Sequence, residues 1–418
     1  MLRCKDGATM NILVANWTWF PSGGDWTYIE NVKKLYEDNG HNVIPFSMDD
    51  ERNLPSAYQK YFVTKIDYQA LNRKKNFSDG LKVLSKSIYS NEAIEHLEEL
   101  LNDVDIQLAH LNLIHHYITP SIIKILRQKK IPIIWTLHDY TAICPQSTFI
   151  SNDSICESCK GGRFYNAVLK KCKKNSLLPS IVAATENYIH HIRGYYKDVD
   201  YFICPSFFSY QKYKEFNFFN EKLYQLYHPY NTGKLPKLQS AASEEKFILF
   251  VGRLEKIKGV HTLLKAMQTL PDIALKIIGD GTQEHELKQF ANQNKLTNVA
   301  FLGKRNKSEV LDFIQRSAFL ICPSEWYEVL GFTIVEAMLL GKPVIGSNLG
   351  AIPETVVDSE TGLLFSAGNE DELSKKIEVL YNDETLIDKL GANAKKHAGD
   401  LFDPQKHFEG LKKIIPAL

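Results

Sequence analysis

The chain has 418 residues, 44% of them hydrophobic and 24% charged, with a formal net charge of +1. That length is too great for one ordinary domain and fits two of roughly 200 residues, each with apolar material for its own core. Near-neutral charge gives no global reason to expect a nucleic-acid partner, and no run of 18 apolar residues asks for a membrane-spanning helix.

The opening stretch "MLRCKDGATM" lacks an apolar signal core. The expectation is therefore a cytoplasmic protein with a loose tail over residues 1–10. Seven cysteines in that setting should be reduced thiols or metal ligands, not disulfides. Regular structure begins at "NILVAN" (11–16), and further short apolar runs follow at 42–46, 106–110, 131–136 and 200–205. A second series occupies 246–252, 274–279, 298–303, 318–323 and 343–347. Stretches of 3.6 period, such as "GVHTLLKAMQTL" and "KSEVLDFIQRSA", lie between them. Continuous apolar strands separated by helices imply parallel sheets covered on both faces. The fold class expected is α/β, two Rossmann-like doubly wound domains facing a cleft. The Pro-, Gly- and Ser-rich segment 228–246 marks the boundary. This places an acceptor-side domain at 11–228, a donor-binding domain at 229–403, and a final helix at 404–418 crossing back to the first.

In chain order, Gly23 and Gly24 come first, after strand one and before a helix, where backbone can approach a phosphate or sugar closely. The pattern is not G-x-G-x-x-G, so a dinucleotide is not indicated. "HLNLIHHY" holds His110, His115 and His116, but adjacent histidines on one loop converge poorly on a metal; structural or acceptor contacts are the better reading. Cys144, Cys156, Cys159 and Cys172 follow as C-x11-C-x2-C-x12-C in an insertion of about 144–174 with little apolar content. A structural zinc could organise such a segment, with reduced thiols or one disulfide as the alternatives. Cys204 and Cys322 end matching "ICP" strands and read as buried packing residues. Two stretches, 73–86 and 158–174, are basic with aromatics and leucines interleaved. That composition suits anionic lipid headgroups, or else an ordinary solvated face.

In the second half, Arg253 and Lys258 follow a strand end, where they can clamp a diphosphate. "SEWYEVLGFTIVEAM" (324–338) then sets Glu328 in a loop and Glu336 inside the following helix, amid apolar neighbours. Buried carboxylates cost several kcal/mol unless paired or used. Gly331 lies at the helix start, where free N–H groups and the dipole favour an anion.

"VGRLEKIKG", "FLGKRNKSEV", "ICPSEWYEVLGFTIVEAMLLGKPVIGSNLGAIPE" and "GLLF" together resemble the donor-binding half of the retaining family-4 glycosyltransferases of GT-B fold. Glu328 and Glu336 match that family's E-x7-E motif. The first half is more diffusely similar to a subset from bacterial surface-polysaccharide pathways. The resemblance implies transfer from a UDP- or GDP-linked sugar to a glycan or lipid-diphosphate-linked acceptor, with no catalytic metal or cofactor, at the inner face of the plasma membrane. Glu336 would bind the ribose and Glu328 the donor sugar. Arg253, Lys258 and the Val329-Leu330-Gly331 backbone would hold the diphosphate, and the turn carrying Arg305 would meet the base. His138, in "WTLHDY", resembles the family's active-site histidine, with Asp139 to orient it. Competing expectations are a nucleotide-sugar epimerase or isomerase on the same fold, and a non-catalytic sugar-binding or scaffold protein.

Overall fold

A computed structural model describes residues 9–65, 88–236, 246–415 and 418. The basic stretch 73–86 and most of the N-terminal tail lie outside the described residues. The chain divides into two compact units, Met1–Pro229 with Pro404–Leu418, and Tyr230–Asp403.

The first unit is built from β1 (Asn11–Ala15), β2 (Asn42–Phe46), β3 (Met48–Asp49), β4 (Val63–Thr64), β5 (Leu108–Leu111), β6 (Ile133–Thr136), β7 (Ile150–Ser151), β8 (Ser154–Ile155), β9 (Tyr201–Cys204) and β10 (Leu223–Gln225). Six of these form one sheet in the order β10-β9-β6-β5-β1-β2, parallel at every junction. β5 and β6 are buried at every position, because helices cover both faces of a parallel sheet and leave no solvated side. β3 pairs with β4, and β7 with β8 as a small antiparallel hairpin in the cysteine-rich insertion.

The second unit holds β11 (Phe247–Val251), β12 (Ala274–Ile278), β13 (Val299–Gly303), β14 (Leu320–Cys322), β15 (Val344–Ser347) and β16 (Gly362–Phe365). Their order is β13-β12-β11-β14-β15-β16, again parallel. Its core runs through Ile248, Phe250, Leu263, Ile277, Ile321, Ile345 and Phe365. The expected α/β class with two doubly wound sheets is borne out.

Two edge strands were not anticipated from apolar runs. β10 is only three residues long and mostly half-exposed, and β16 ("GLLF") is too short for periodicity to register. The topology locates a site in each unit. A doubly wound sheet opens a crevice at the strand C-termini where the chain switches direction of winding. That point lies between β1 and β5 in the first unit, and between β11 and β14 in the second.

Candidate functional site

At the switch point of the second unit, β11 leads into Arg253 and a 3-10 turn, Lys256–Lys258. Arg253 is exposed and forms no ion pair among the described residues. Gly259 closes the turn at φ 67, and a Cβ there would stand 1.8 Å from the Pro323 carbonyl oxygen. Only glycine lets this turn press against the loop that follows β14. The contact delivers Lys258, whose Nζ donates to Glu328 Oε1 at 2.6 Å. Ser324 Oγ donates to the same oxygen at 2.7 Å. Burial pushes the Glu328 carboxyl up, but the Lys258 charge and these hydrogen bonds outweigh it and hold the group below the usual carboxylate range.

Gly331 caps the helix Phe332–Leu339. The N–H groups of Val329, Leu330 and Gly331 make no backbone hydrogen bond among the described residues, which leaves an anion-ready helix start. Glu336 lies inside this helix, 1% exposed, and its partner is the Lys307 ammonium. Here burial prevails over Lys307 and a Tyr230 hydrogen bond, so the Glu336 carboxyl is raised. Lys307 was missed in the sequence reading. Its signal was the N-x-x-E box: Asn306 accepts from Glu309 N–H at 3.0 Å and Glu309 Oε2 from Asn306 N–H at 2.9 Å. That box starts the helix Lys307–Arg316 at Lys307. Arg305 is exposed in the loop before it, its Nε 3.9 Å from Glu309 Oε1. The second unit therefore brings together Lys258 with Glu328 and Lys307 with Glu336 as two charge pairs. Arg253 and Arg305 remain on exposed loops.

In the first unit, His138 follows β6 and is packed by Tyr28 and His228, ring centroids 4.8 Å and 5.1 Å away. Its Nε2 lies 2.9 Å from Asn112 Oδ1. The Asn112 amide nitrogen donates to the carbonyls of Ala15 and His110, so Oδ1 must accept and His138 Nε2 must carry the proton. Burial pulls the His138 pKa down to about 3. The ring is thus neutral, with Nδ1 as its acceptor. The positioning residue is Asn112, not Asp139: the Asp139 carboxylate accepts from Thr141 N–H at 2.9 Å instead. Gly23, at φ 149, caps the helix Gly24–Asp38, and both glycines are exposed. Asp25 in that first turn accepts from Trp17 Nε1 at 2.9 Å, so a carboxylate already faces this helix start.

The three other histidines diverge. His110 meets Tyr36 and Thr136, His115 meets Tyr196, and His116 pairs with Glu186 at 2.9 Å. Cys144, Cys156, Cys159 and Cys172 are all free. Burial raises the Cys144 thiol to about 11 and, with the other three sulfurs nearby, Cys159 to about 12. Among the described residues no group of three or more such side chains is gathered to hold a metal. A cavity of about 340 Å³ opens in this insertion, lined by Cys159, Phe164, His191 and Phe216 among others. Cys204 is fully buried, whereas Cys322 is only half-buried and lies 3.7 Å from Ser324 Oγ, beside the Glu328 pair.

Residues 234–397 match the family model described as glycosyl transferases group 1. An uncharacterized glycosyltransferase of Methanocaldococcus jannaschii is 36% identical over 172 residues, 41% of this chain and 48% of that protein. The capsular polysaccharide biosynthesis glycosyltransferase CapM of Staphylococcus aureus is 28% identical over 212 residues, 49% of this chain and 51% of its own. The chain thus spans about half the length of the curated relatives it matches. Among solved structures, sucrose-phosphate synthase from Thermosynechococcus elongatus aligns with TM-score 0.73 and 18% identity, covering 98% of this chain and 100% of that one. Anabaena HepE, solved with UDP and glucose, aligns with TM-score 0.68 at 18% identity over 98% and 100% of the two chains. Residues 234–397 thus form a glycosyl transferases group 1 domain, and the two-sheet architecture of the chain is the GT-B fold of its structural neighbours.

Proposed function

We propose that the protein transfers a sugar, with retention of anomeric configuration, from a nucleoside-diphosphate sugar to a saccharide or lipid-linked acceptor in bacterial surface-polysaccharide synthesis. The observation that carries this reading is the pair of buried glutamates at the β14 end of the second unit. Each is charge-paired to a lysine, and a helix start with no side-chain cap lies between them. A ribose is a polyol that can displace Lys307 from Glu336 and donate to the carboxylate. Glu328 is held ionised, suited to donor-sugar hydroxyls and to positive charge developing at the anomeric carbon. Arg253, Lys258 and the N–H groups of Leu330 and Gly331 would receive the diphosphate.

In the proposed step the bond from the anomeric carbon to the phosphate oxygen breaks, and the acceptor oxygen bonds to that carbon on the same face. The acceptor proton passes to the departing phosphate. Within the first unit, neutral His138 offers Nδ1 as an acceptor for a sugar hydroxyl, and Gly23-Gly24 present backbone that a sugar or phosphate could approach closely. HepE was solved with UDP and glucose and CapM is named for capsule synthesis; both support the donor and pathway class.

A thermal-shift screen against nucleoside diphosphates tests the binding claim, since ligand at 100 times Kd stabilises by about 2.7 kcal/mol. Turnover assays then separate the readings. Transfer releases nucleoside diphosphate and gives a product of the donor's anomeric configuration. An intact but isomerised nucleotide-sugar would identify an epimerase, and no shift with any nucleotide would overturn the proposal.

A further inference from the structure

The helix Leu177–Ile192 of the first unit is built the wrong way round for a helix facing water. Its buried side carries polar groups: Ser180, Glu186, Asn187 and His190 are all buried. Each has an internal partner. Ser180 Oγ donates to Ser176 O, Asn187 to Ala183 O, His190 Nε2 meets Ile88 O, and Glu186 pairs with His116. The outward side is apolar. Leu178 is 70% exposed and Ile192 82%, with Ile181 exposed and Val182 and Ile189 half-exposed along the same stripe. At about 100° per residue these positions fall on one helix face, with half-buried Thr185 between Val182 and Ile189. From Leu178 to Ile192 the stripe runs roughly 21 Å. Leu169, 73% exposed, ends the preceding short helix Tyr165–Leu169. Exposed apolar side chains clustered at both ends of one helix face mark an interaction site.

The charge around it says what covers it. Residues 158–197 contain eight cations: Lys160, Arg163, Lys170, Lys171, Lys173 and Lys174 before the helix, Arg193 and Lys197 after it. None forms an ion pair among the described residues. Their single acid is Glu186, which is buried. A second copy seated on this face would bring like charge against like charge, which disfavours self-association. An apolar stripe with cations outside any ion pair at both ends among the described residues, and no exposed acid between residues 158 and 197, fits a surface whose interior is hydrocarbon and whose rim is anionic.

We propose that this helix and the basic turn before it form an interfacial membrane-binding surface for anionic phospholipid. The helix would lie in the plane of the headgroups, with Leu178, Ile181 and Ile192 sunk into the acyl boundary. The reading needs no catalytic assumption, so its test stands apart from the transferase assay.

Vesicle co-sedimentation of the full chain decides it, using phosphatidylcholine with and without phosphatidylglycerol. Wild type should bind the anionic vesicles, release them with added salt, and ignore phosphatidylcholine alone. The double variant Leu178→Glu/Ile192→Glu should weaken partition on the order of tenfold or more. Each of Lys171→Ala and Lys174→Ala should weaken it about fivefold. Because these side chains are exposed, the unfolding midpoint and any nucleotide-induced shift should stay as in wild type. Absence of anionic-vesicle binding, equal binding to both lipids, or undiminished binding by the double variant would overturn the proposal. So would a wild-type dimer that the double variant converts to monomer without vesicle binding.

Discussion

Glu328 and Glu336 each face one lysine, yet their carboxyls shift in opposite directions. Glu328's partner Lys258 is 18% exposed and is reinforced by Ser324, whereas Lys307 beside Glu336 is 49% exposed and screened by water. Glu336→Ala should therefore raise the Kd for a bound nucleoside diphosphate about tenfold, the scale of one lost hydrogen bond to a charged group. Glu328→Ala should instead lower kcat about 100-fold with Kd little changed, as for loss of one transition-state contact. Calorimetric titration together with steady-state kinetics separates the two roles; a matched loss of affinity with full turnover at saturation would sink the assignment. A second pair sets a pH dependence. Burial pulls the His116 pKa down, but Glu186 overcomes this and the net shift is upward. The pair's stabilisation should be complete below the unfolded value of about 6.5 and vanish as pH rises through the raised folded value. Urea midpoints across that interval should fall with pH in wild type. In Glu186→Gln this contribution should be gone, and an unchanged slope would show that the pair does not set it.

At the scale of elements, two local devices hold the candidate site. The αL turn at Gly259 seats Lys258 against the β14 loop, and a side chain there would collide with the Pro323 carbonyl. Gly259→Ala should cost more than about 1 kcal/mol, because both φ and space forbid it. It should also weaken nucleotide binding, whereas the same substitution at exposed Gly368, where nothing stands near a Cβ, should leave binding intact. The capping box at Asn306 fixes where the Lys307 helix begins. Asn306→Ala should cost about 1 kcal/mol by thermal denaturation and shift nucleotide affinity with it. Within the cysteine insertion, burial raises the Cys156 thiol, but the Ser158 hydrogen bonds and the Lys170 ammonium reverse this and leave it lowered. Timed alkylation with mass mapping should label Cys156 well before Cys144 or Cys159. A freshly reduced preparation carrying about one tightly bound zinc per chain, with all four cysteines protected, would abolish that order and establish the metal site expected from the spacing.

At the scale of the whole molecule, the closing helix Pro404–Ile414 packs in the first unit. There Phe408, Leu411 and Ile414 are buried, and His407 Nδ1 meets Tyr227 O at 2.7 Å. A chain ending at Asp403 should lose several kcal/mol from the first unit's core. Calorimetry should show that unit's transition falling, while the second unit keeps its nucleotide-induced shift. An unmoved transition would mean the helix contributes no stability. The two parallel sheets, the places of their main strands along the chain and the E-x7-E signature were legible in the residue pattern, because burial on both faces imposes continuous apolar runs on a parallel strand; the order of the strands within each sheet was not. Apolar neighbours also put at least one of Glu328 and Glu336 near the core, and both are buried. Their partners were not legible in that pattern: Lys307 reaches Glu336 across 29 positions, and Asn112 reaches His138 across 26. A pattern of local spacing carries no information about which distant side chain a fold will bring to a buried polar group. Nor could composition tell that the helix Leu177–Ile192 turns its apolar side outward. Which face of an amphipathic helix meets the core is decided by the polar partners waiting there, His116 and the Ile88 carbonyl among them, and only tertiary structure supplies those.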